Sequence, residues 1–337
     1  MNVHLRTQFA NPVLNRDFPD PAILPRRVNG KYYAFATQES PHNPTIQMAT
    51  SEDLITWELS PRGAFARKPI FAQHSRDYWA PHIIEDIEYN RFIMAYTVRS
   101  DSTGQLGISL AIASDLDEGF IDPHTQPLLE GPGYSIIDPH YLIDPRTGKR
   151  WLYWGSHETP IMMQELDATG LRFAVGSVPQ AVLHPIPEHP VLRLLEGFFV
   201  FYHPGCNMFF GLASGPNTWE PDGYHVSCFW AKDPTGPFEP IPHDMVIVSP
   251  SQRWLAPGQC SIFCDEGNQY WLYLHAVDVQ NPHNNFSNKQ IARVMCAVPL
   301  DFSQGYPQTV GREVPCQAIA GPSIQTLDTQ TVQIGMY

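Results

Sequence analysis

Residues 11–24 read NPVLNRDFPDPAIL, and a second apolar run, YYAFA at 32–36, follows an Asn29-Gly30 pair. Asn-Gly near the junction of two apolar runs predicts a β-hairpin, because both residues tolerate the positive φ of a tight turn. Asp20 lies between two prolines, which restrict the backbone and remove hydrogen-bond donors. We therefore expect an aspartate held in an irregular turn at the start of the first strand.

The same pattern, a polar turn followed by two apolar strands, returns four more times. The turns lie at Ala80, Asp138, Glu196 and Gln259, at steps of 60, 58, 58 and 63 residues from Asp20 onward. Five units of nearly constant length predict an all-β fold, a five-bladed β-propeller. We expect one catalytic domain over residues 1–337, with blades that start near residues 20, 80, 138, 196 and 259. The innermost strands of a propeller surround one axis, so Asp20, Asp138 and Glu196 should share a pocket.

Composition restricts the function further. The chain has 337 residues, 43% of them hydrophobic, and a net charge of −13 without a basic patch. We therefore expect no nucleic-acid partner and, since 18 apolar residues never run together, no membrane span. The six cysteines lack the paired spacing of a metal site, which favours reduced thiols.

The two ends of the chain give weaker signals. Residues 1–9 lack the apolar segment of a signal peptide, so we expect a cytoplasmic protein; a mature exported chain would share this feature. Residues before Asn11 are predicted to form an arm or to help close the ring. The weakly alternating tail from Gln325 to Tyr337 is a candidate to complete a blade.

The three acidic turn residues match the needs of glycoside hydrolysis. That reaction uses one carboxylic acid to protonate the leaving oxygen and one carboxylate to activate water or to attack. A third carboxylate nearby would raise the pKa of the acid by like-charge repulsion. Trp79, at the equivalent turn of blade two, could supply an aromatic wall for a sugar ring.

Several short motifs, in order and at blade spacing, give the sequence a family resemblance. They are NPVL at 11–14 with FPDP at 18–21, WAPH at 79–82, IDP at 137–139 with YWGS at 153–156, and LEG at 195–197. From about residue 11 to 302 the chain resembles glycoside hydrolase family 43, the five-bladed arabinanase and xylosidase family. The resemblance implies that Asp20 is the general base, Glu196 the general acid, and Asp138 the residue that modulates the pKa of the acid.

The chain also departs from the family pattern. Phe198 follows the Glu-Gly pair where relatives commonly have proline, and Gln259 stands where they commonly have a histidine that serves the central site or its metal. Glutamine cannot replace imidazole as a nitrogen ligand. We expect no required cofactor; a structural calcium ion at the axis is an open alternative, and metal ligands are not assigned.

Four residues are candidates for substrate binding. Trp79 could stack on a pentose, and Arg293 resembles the pocket arginine of the family, which could bind sugar hydroxyls and keep Asp20 ionised. Gln259 and His275 occupy positions near the axis. For each of Trp79, Arg293 and His275, a purely structural role is the alternative.

These observations predict an inverting, exo-acting α-L-arabinofuranosidase that acts on arabinose- or xylose-containing plant cell-wall oligosaccharides. An endo-1,5-α-L-arabinanase or a β-xylosidase of the same family is the alternative, although many family xylosidases carry an appended β-sandwich for which this chain lacks the length. From other classes, a catalytically silent sugar-binding propeller, or a phosphorylase or other furanosidase on a related propeller, stays open. The presence of all three carboxylates argues against those.

Overall fold

The computed structural model describes residues 7–38, 45–157 and 159–324. These residues form 22 strands and three short 3-10 helices at Ile87–Tyr89, Phe286–Asn288 and Val310–Arg312. Five antiparallel sheets are arranged as the blades of a β-propeller, which confirms the predicted all-β, five-bladed fold. In the described part of the chain, no helix is long and apolar enough to cross a membrane.

The strands of each blade follow one another in sequence, and the first of each blade lies next to the axis. A short strand, β1 (Gln8–Phe9), precedes the blades. Blade one contains β2 (Ala22–Ile23), β3 (Tyr32–Ala36), β4 (Gln47–Ser51) and β5 (Glu58–Leu59). Blade two contains β6 (Tyr78–Asp86), β7 (Arg91–Arg99), β8 (Leu106–Ala113) and β9 (Leu129–Gly131). Blade three contains β10 (His140–Ile143), β11 (Arg150–Trp154), β12 (Ile161–Leu166) and β13 (Gln180–Leu183).

The last two blades have different numbers of strands. Blade four contains β14 (Glu196–His203), β15 (Met208–Pro216), β16 (Tyr224–Ala231), β17 (Glu239–Pro240) and β18 (Val246–Val248), of which β17 and β18 both pair with β16. Blade five has three strands, β19 (Trp254–Cys264), β20 (Tyr270–Asp278) and β21 (Arg293–Leu300). The final strand, β22 (Ile319–Ala320), pairs with β1.

The amino-terminal segment closes the ring. Leu14 forms an antiparallel bridge with Met295 in β21, so this segment lies along the outer edge of the three-stranded fifth blade. The amide of Asn11 donates to the carbonyl of Ala297 at 3.0 Å and accepts from its N–H at 2.9 Å. Of the residues before Asn11, those in β1 pair with β22. Residues 325–337, the candidate to complete a blade, lie outside the described residues.

A left-handed residue lies just before each innermost strand or, in blades two, four and five, at a bulge within it. The residues are Asp20, Ala80, Asp138, Gly197 and Gln259, with φ of 57°, 42°, 57°, 60° and 41°. In blade four this position is held by Gly197, so Glu196 precedes the turn by one residue instead of occupying it. The predicted alignment of Glu196 with Asp20 was therefore wrong by one residue. Glycine adopts positive φ without steric cost, which frees the neighbouring position for the glutamate.

A side chain near the end of each second strand connects its blade to the next. Four of these side chains accept the N–H of the neighbouring left-handed residue: Ala80 donates to Thr37 at 2.7 Å, Asp138 to Thr97 at 3.0 Å, Gln259 to Ser214 at 2.8 Å, and Asp20 to His275 Nδ1 at 3.1 Å. Ser156 takes the equivalent place in blade three. Because these bonds run from blade to blade, they fix the turns on which the acidic side chains sit.

Candidate active site

One pocket of about 1040 Å³ lies where the innermost strands begin. Six of the seven residues predicted for the site border it: Asp20, Trp79, Asp138, Glu196, Gln259 and Arg293. The seventh, His275, is buried behind Asp20. The fold thus brings together side chains that are separated by up to 273 residues in sequence.

The surroundings of Asp20 favour its ionised form. Burial alone would raise the pKa of this carboxyl group. The Arg293 guanidinium, with Nη1 at 3.3 Å from Oδ1, is the largest of several effects that together outweigh burial and hold the pKa well below its usual range. His275 and a hydrogen bond from the Thr37 hydroxyl act in the same direction. Asp20 is therefore a carboxylate across the whole neutral range.

Asp138 and Glu196 behave in the opposite way. Burial is the largest cause of a raised pKa in both carboxyl groups, and the negative charges of Glu196 and Asp20 raise the pKa of Asp138 further. Two buried carboxyl groups that interact titrate as a pair. The pair therefore retains a proton at pH values where an isolated carboxyl group has lost it, as a general acid requires.

Two hydroxyl groups hold the Glu196 carboxyl group. Tyr224 donates to Oε1 at 2.7 Å, and Ser156 donates to Oε2 at 2.8 Å. His157 lies next to them, with Nδ1 at 2.7 Å from the Ser156 hydroxyl and 3.9 Å from Oε2. These contacts oppose the effect of burial on the pKa of Glu196 without cancelling it.

Aromatic rings form two walls of the pocket. Trp79 stacks on Tyr134, with ring centroids 6.5 Å apart and 21° between planes, and Tyr134 stacks on His157 at 4.8 Å and 7°. On another side, the Trp219 ring lies 5.7 Å from Lys289 Nζ and 5.5 Å from Arg293 Cζ. Tyr134 and Trp219 are partly exposed, so their faces are available for sugar rings.

Of the two predicted sugar-binding residues His275 and Gln259, only Gln259 lines the pocket. His275 is fully buried and contacts the backbone of Asp20, so it supports Asp20 and does not line the pocket. Gln259 does line the pocket, and its amide packs so closely over Gly197 that a Cβ there would overlap it. Gln259 therefore faces the pocket beside Glu196.

The axis below the carboxyl groups fits a calcium ion poorly. A small cavity of about 20 Å³ there is bordered by Asp20, Asp138 and the imidazoles of His82 and His140. Burial lowers the pKa of both histidines, to about 3 for His82, so both are neutral, and His140 Nδ1 has no hydrogen-bond partner. Calcium takes six to eight oxygen ligands. Among the described residues, no group of three His, Cys, Asp or Glu side chains is arranged to hold a metal ion.

Sequence reasoning missed several residues of the site: Thr37, Tyr134, Ser156 as a partner of the acid, His157, Trp219 and Tyr224. One signal was available. Thr37, Thr97, Ser156 and Ser214 recur at steps of 60, 59 and 58 residues, close to the blade period. Tyr134, Trp219 and Tyr224 come from connecting loops or a third strand, where no repeat marks them.

Comparison with known proteins gives the family. A model described as "Glycosyl hydrolases family 43" matches residues 9–307. The chain is 24% identical over 259 residues to the extracellular endo-alpha-(1->5)-L-arabinanase of Thermotoga petrophila. This match covers 65% of this chain and 50% of the relative. It is 28% identical over 257 residues to xylosidase/arabinosidase 43B of Humicola insolens, and this match covers 72% of this chain and 44% of the relative. The chain spans about half the length of these two curated relatives.

Solved structures share the fold. An alpha-L-arabinanase from Cellvibrio cellulosa, in complex with arabinohexaose, matches with a TM-score of 0.70 and 21% identity over 87% of this chain and 95% of that one. An exo-1,5-alpha-L-arabinanase from a bovine ruminal metagenomic library matches with a TM-score of 0.71 and 21% identity over 89% of this chain and 99% of that one. Because the family model covers most of the sequence, the chain belongs to glycosyl hydrolases family 43.

Proposed function

We propose that the protein is an inverting glycoside hydrolase. The observation that carries this proposal is the presence in one pocket of three carboxyl groups with opposite pKa shifts: the pKa of Asp20 is lowered, and those of Asp138 and Glu196 are raised. An ionised carboxylate that acts as base, together with a carboxylic acid whose pKa is raised, is what single-step hydrolysis of a glycosidic bond requires. Family membership supports the same reaction.

In the proposed mechanism, Asp20 accepts a proton from a water molecule as the water oxygen attacks the anomeric carbon. Glu196 donates its proton to the leaving oxygen as the glycosidic bond breaks, and the configuration inverts. Asp138 keeps the proton on the acid before the reaction, because two negative charges in this buried space repel each other. Each step uses only these side chains and water, and we propose that no cofactor takes part.

For the substrate, we propose an arabinose-containing plant cell-wall oligosaccharide from which terminal arabinose is released, an α-L-arabinofuranosidase activity. A pocket of about 1040 Å³ with aromatic side chains on two sides leaves room for a terminal pentose and for the sugars that follow it. Endo-acting cleavage is the second candidate, since the Thermotoga petrophila relative carries that name.

The experiment that tests the reaction compares leaving groups. Glu196→Ala should lose far more activity on arabino-oligosaccharides than on activated aryl arabinosides, because only the former need a protonated leaving oxygen. Asp20→Ala should lose activity on both by a similar factor. Equal losses in Glu196→Ala would assign the acid elsewhere, and a wild-type protein that binds but cleaves neither substrate would be a sugar-binding propeller.

Product analysis separates the two cleavage modes. Arabino-oligosaccharides of graded length should yield arabinose from the first time points if the enzyme acts from the chain end. Release of di- and trisaccharides from internal bonds, with a rapid fall in the viscosity of debranched arabinan, would establish endo cleavage. Release of xylose in place of arabinose from aryl glycosides would indicate a β-xylosidase.

A further inference from the structure

Tyr224 and His275 form a pair of stacked rings between the acid and the base. The Tyr224 hydroxyl donates to Glu196 Oε1 at 2.7 Å. Its ring lies on the His275 imidazole, with centroids 5.7 Å apart and planes inclined by 10°. His275 in turn accepts the N–H of Asp20 at 3.1 Å and has Nδ1 3.3 Å from Oδ1. The two reacting carboxyl groups are thus connected through one pair of aromatic side chains.

The pair has little freedom to move. Tyr224 is 1% exposed and His275 is not exposed at all. Gly258, in β19, faces the tyrosine ring so closely that a Cβ at this position would overlap it. Side chains packed this tightly keep one orientation, because any rotation would require their neighbours to shift. The ring of Tyr224 therefore occupies space that is free only because residue 258 has no Cβ.

The distance between acid and base matters for an inverting reaction. The two carboxyl groups must lie about 6.5–9.5 Å apart, so that a water molecule fits between Asp20 and the sugar. A displacement of about 1 Å in a reacting group can cost about 100-fold in rate. A side chain that sets the position of Glu196 relative to Asp20 therefore affects catalysis without touching the substrate.

We propose that Tyr224 is a positioning residue: its hydroxyl orients the Glu196 carboxyl group, and its ring, stacked on His275, fixes the distance from that group to Asp20. The proposal rests on the proposed hydrolase function. Ser156 is the second donor to the carboxyl group, on the other oxygen, so the two hydroxyls together fix the plane of the acid. Without Tyr224, one carboxyl oxygen loses its donor and the plane can rotate.

The hydroxyl also affects the charge of the acid. A donor to a carboxylate stabilises the ionised form, so the Tyr224 hydrogen bond lowers the pKa of Glu196 against the effect of burial. Its removal should raise that pKa. The acid would then stay protonated to higher pH while being less well oriented, a combination that a purely structural tyrosine would not produce.

The test is Tyr224→Phe, measured as the pH dependence of kcat and KM on arabino-oligosaccharides. We expect kcat to fall by about 10- to 100-fold, KM to stay within about twofold, and the basic limb of the kcat profile to move to higher pH. Tyr153→Phe is the matched control, since Tyr153 is also buried and its hydroxyl donates at 2.7 Å to the Pro234 carbonyl. We expect the control to keep both kcat and the pH profile.

A second variant tests the position of the tyrosine ring, and a second measurement follows the protonation of Glu196 directly. Gly258→Ala keeps the tyrosine hydroxyl but displaces the ring that carries it, so kcat should fall here too. Carbon-13 titration of labelled glutamate carboxyl groups, with Glu196→Gln to identify the resonance, reports the midpoint of Glu196 without any substrate. A higher midpoint in Tyr224→Phe supports the proposal even if the true substrate differs from an arabinoside. An unchanged midpoint together with an unchanged basic limb would overturn it.

Discussion

Asp20 and Glu196 have the same functional group, but their pKa values are shifted in opposite directions, and their immediate neighbours explain the difference. Asp20 has a guanidinium, an imidazole and a hydroxyl within reach. Glu196 receives two neutral hydroxyl donors and lies in a group of three acidic side chains. Burial favours the neutral form of both, and only at Asp20 do the neighbours, Arg293 first among them, together reverse this effect on the pKa.

Arg293→Ala should therefore move the acidic limb of the kcat/KM profile to higher pH. Asp20 must be ionised to act as base, and the variant loses the cation that holds its pKa low. Activity would then fall first at low pH, and we expect kcat/KM at neutral pH to drop at least about tenfold, equal to about 1.4 kcal/mol. Arg253→Ala, which breaks an ion pair with Asp278 in the same blade, should leave the profile in place. An unshifted limb in Arg293→Ala would mean that the guanidinium does not control Asp20.

Variants of Trp79 can distinguish a role in substrate binding from a role in stability. Its indole is half-buried, borders the pocket and stacks on Tyr134, so we expect it to cover one face of the sugar. Trp79→Ala should lower kcat/KM at least about tenfold with little change in melting temperature, and Trp79→Phe should retain most of the activity. Trp57→Ala is the contrasting control, because Trp57 is buried away from the pocket and should lower the melting temperature instead. A large fall in melting temperature for Trp79→Ala, with full specific activity, would place this residue in the scaffold.

At the scale of strands, the left-handed residue just before or within each innermost strand is what places the acidic side chains. Such a conformation costs about 1–2 kcal/mol for a residue with a Cβ, and the N–H it presents must find an acceptor in a buried place. In four of the five blades a side chain of the preceding blade supplies that acceptor. The neighbouring blade therefore contributes directly to the stability of the turn.

Thr97→Val tests this arrangement at the turn of Asp138. Valine has nearly the same shape but no acceptor, so the buried Asp138 N–H is left without a partner, which should cost about 1–3 kcal/mol in the free energy of unfolding. We also expect kcat to fall, because Asp138 and Glu196 share their proton. Thr97→Ser keeps the hydroxyl and should keep kcat. The idea fails if urea titration and kinetics show the valine variant to be no worse than the serine variant.

The sequence predicts the blades well because each repeats a signal within about twenty residues: a polar turn, an apolar strand, a glycine (Asn90 in blade two) and a second apolar strand. It misaligned Glu196 because the residue that adopts positive φ in blade four is the adjacent Gly197. Tyr224 could not be found in this way. Its importance depends on the space that Gly258 leaves, 34 residues further along the chain, and on a contact across two blades.

At the scale of the whole molecule, the propeller depends on the seam between its first and last blades. Each blade packs on its two neighbours, so a ring that opens exposes two apolar faces at once. Here the seam is closed by the bridge between Leu14 and Met295 and by the pairing of β1 with β22. The same seam carries function, because Asp20 in blade one is held by His275 and Arg293 from blade five.

Asn11→Ala should weaken the seam. The Asn11 side chain is 4% exposed and forms two hydrogen bonds with the backbone of Ala297, in place of a strand partner. Alanine leaves a buried N–H and a buried carbonyl without partners, so we expect the free energy of unfolding to fall by about 1–3 kcal/mol, measured by urea denaturation. Asn15→Ala, an exposed position in the same segment, should change it by less than about 0.5 kcal/mol. Since closure also brings Arg293 to Asp20, the Asn11 variant should lose activity at lower urea concentration than the control does. Equal denaturation midpoints for the two variants would show that the ring is held closed elsewhere.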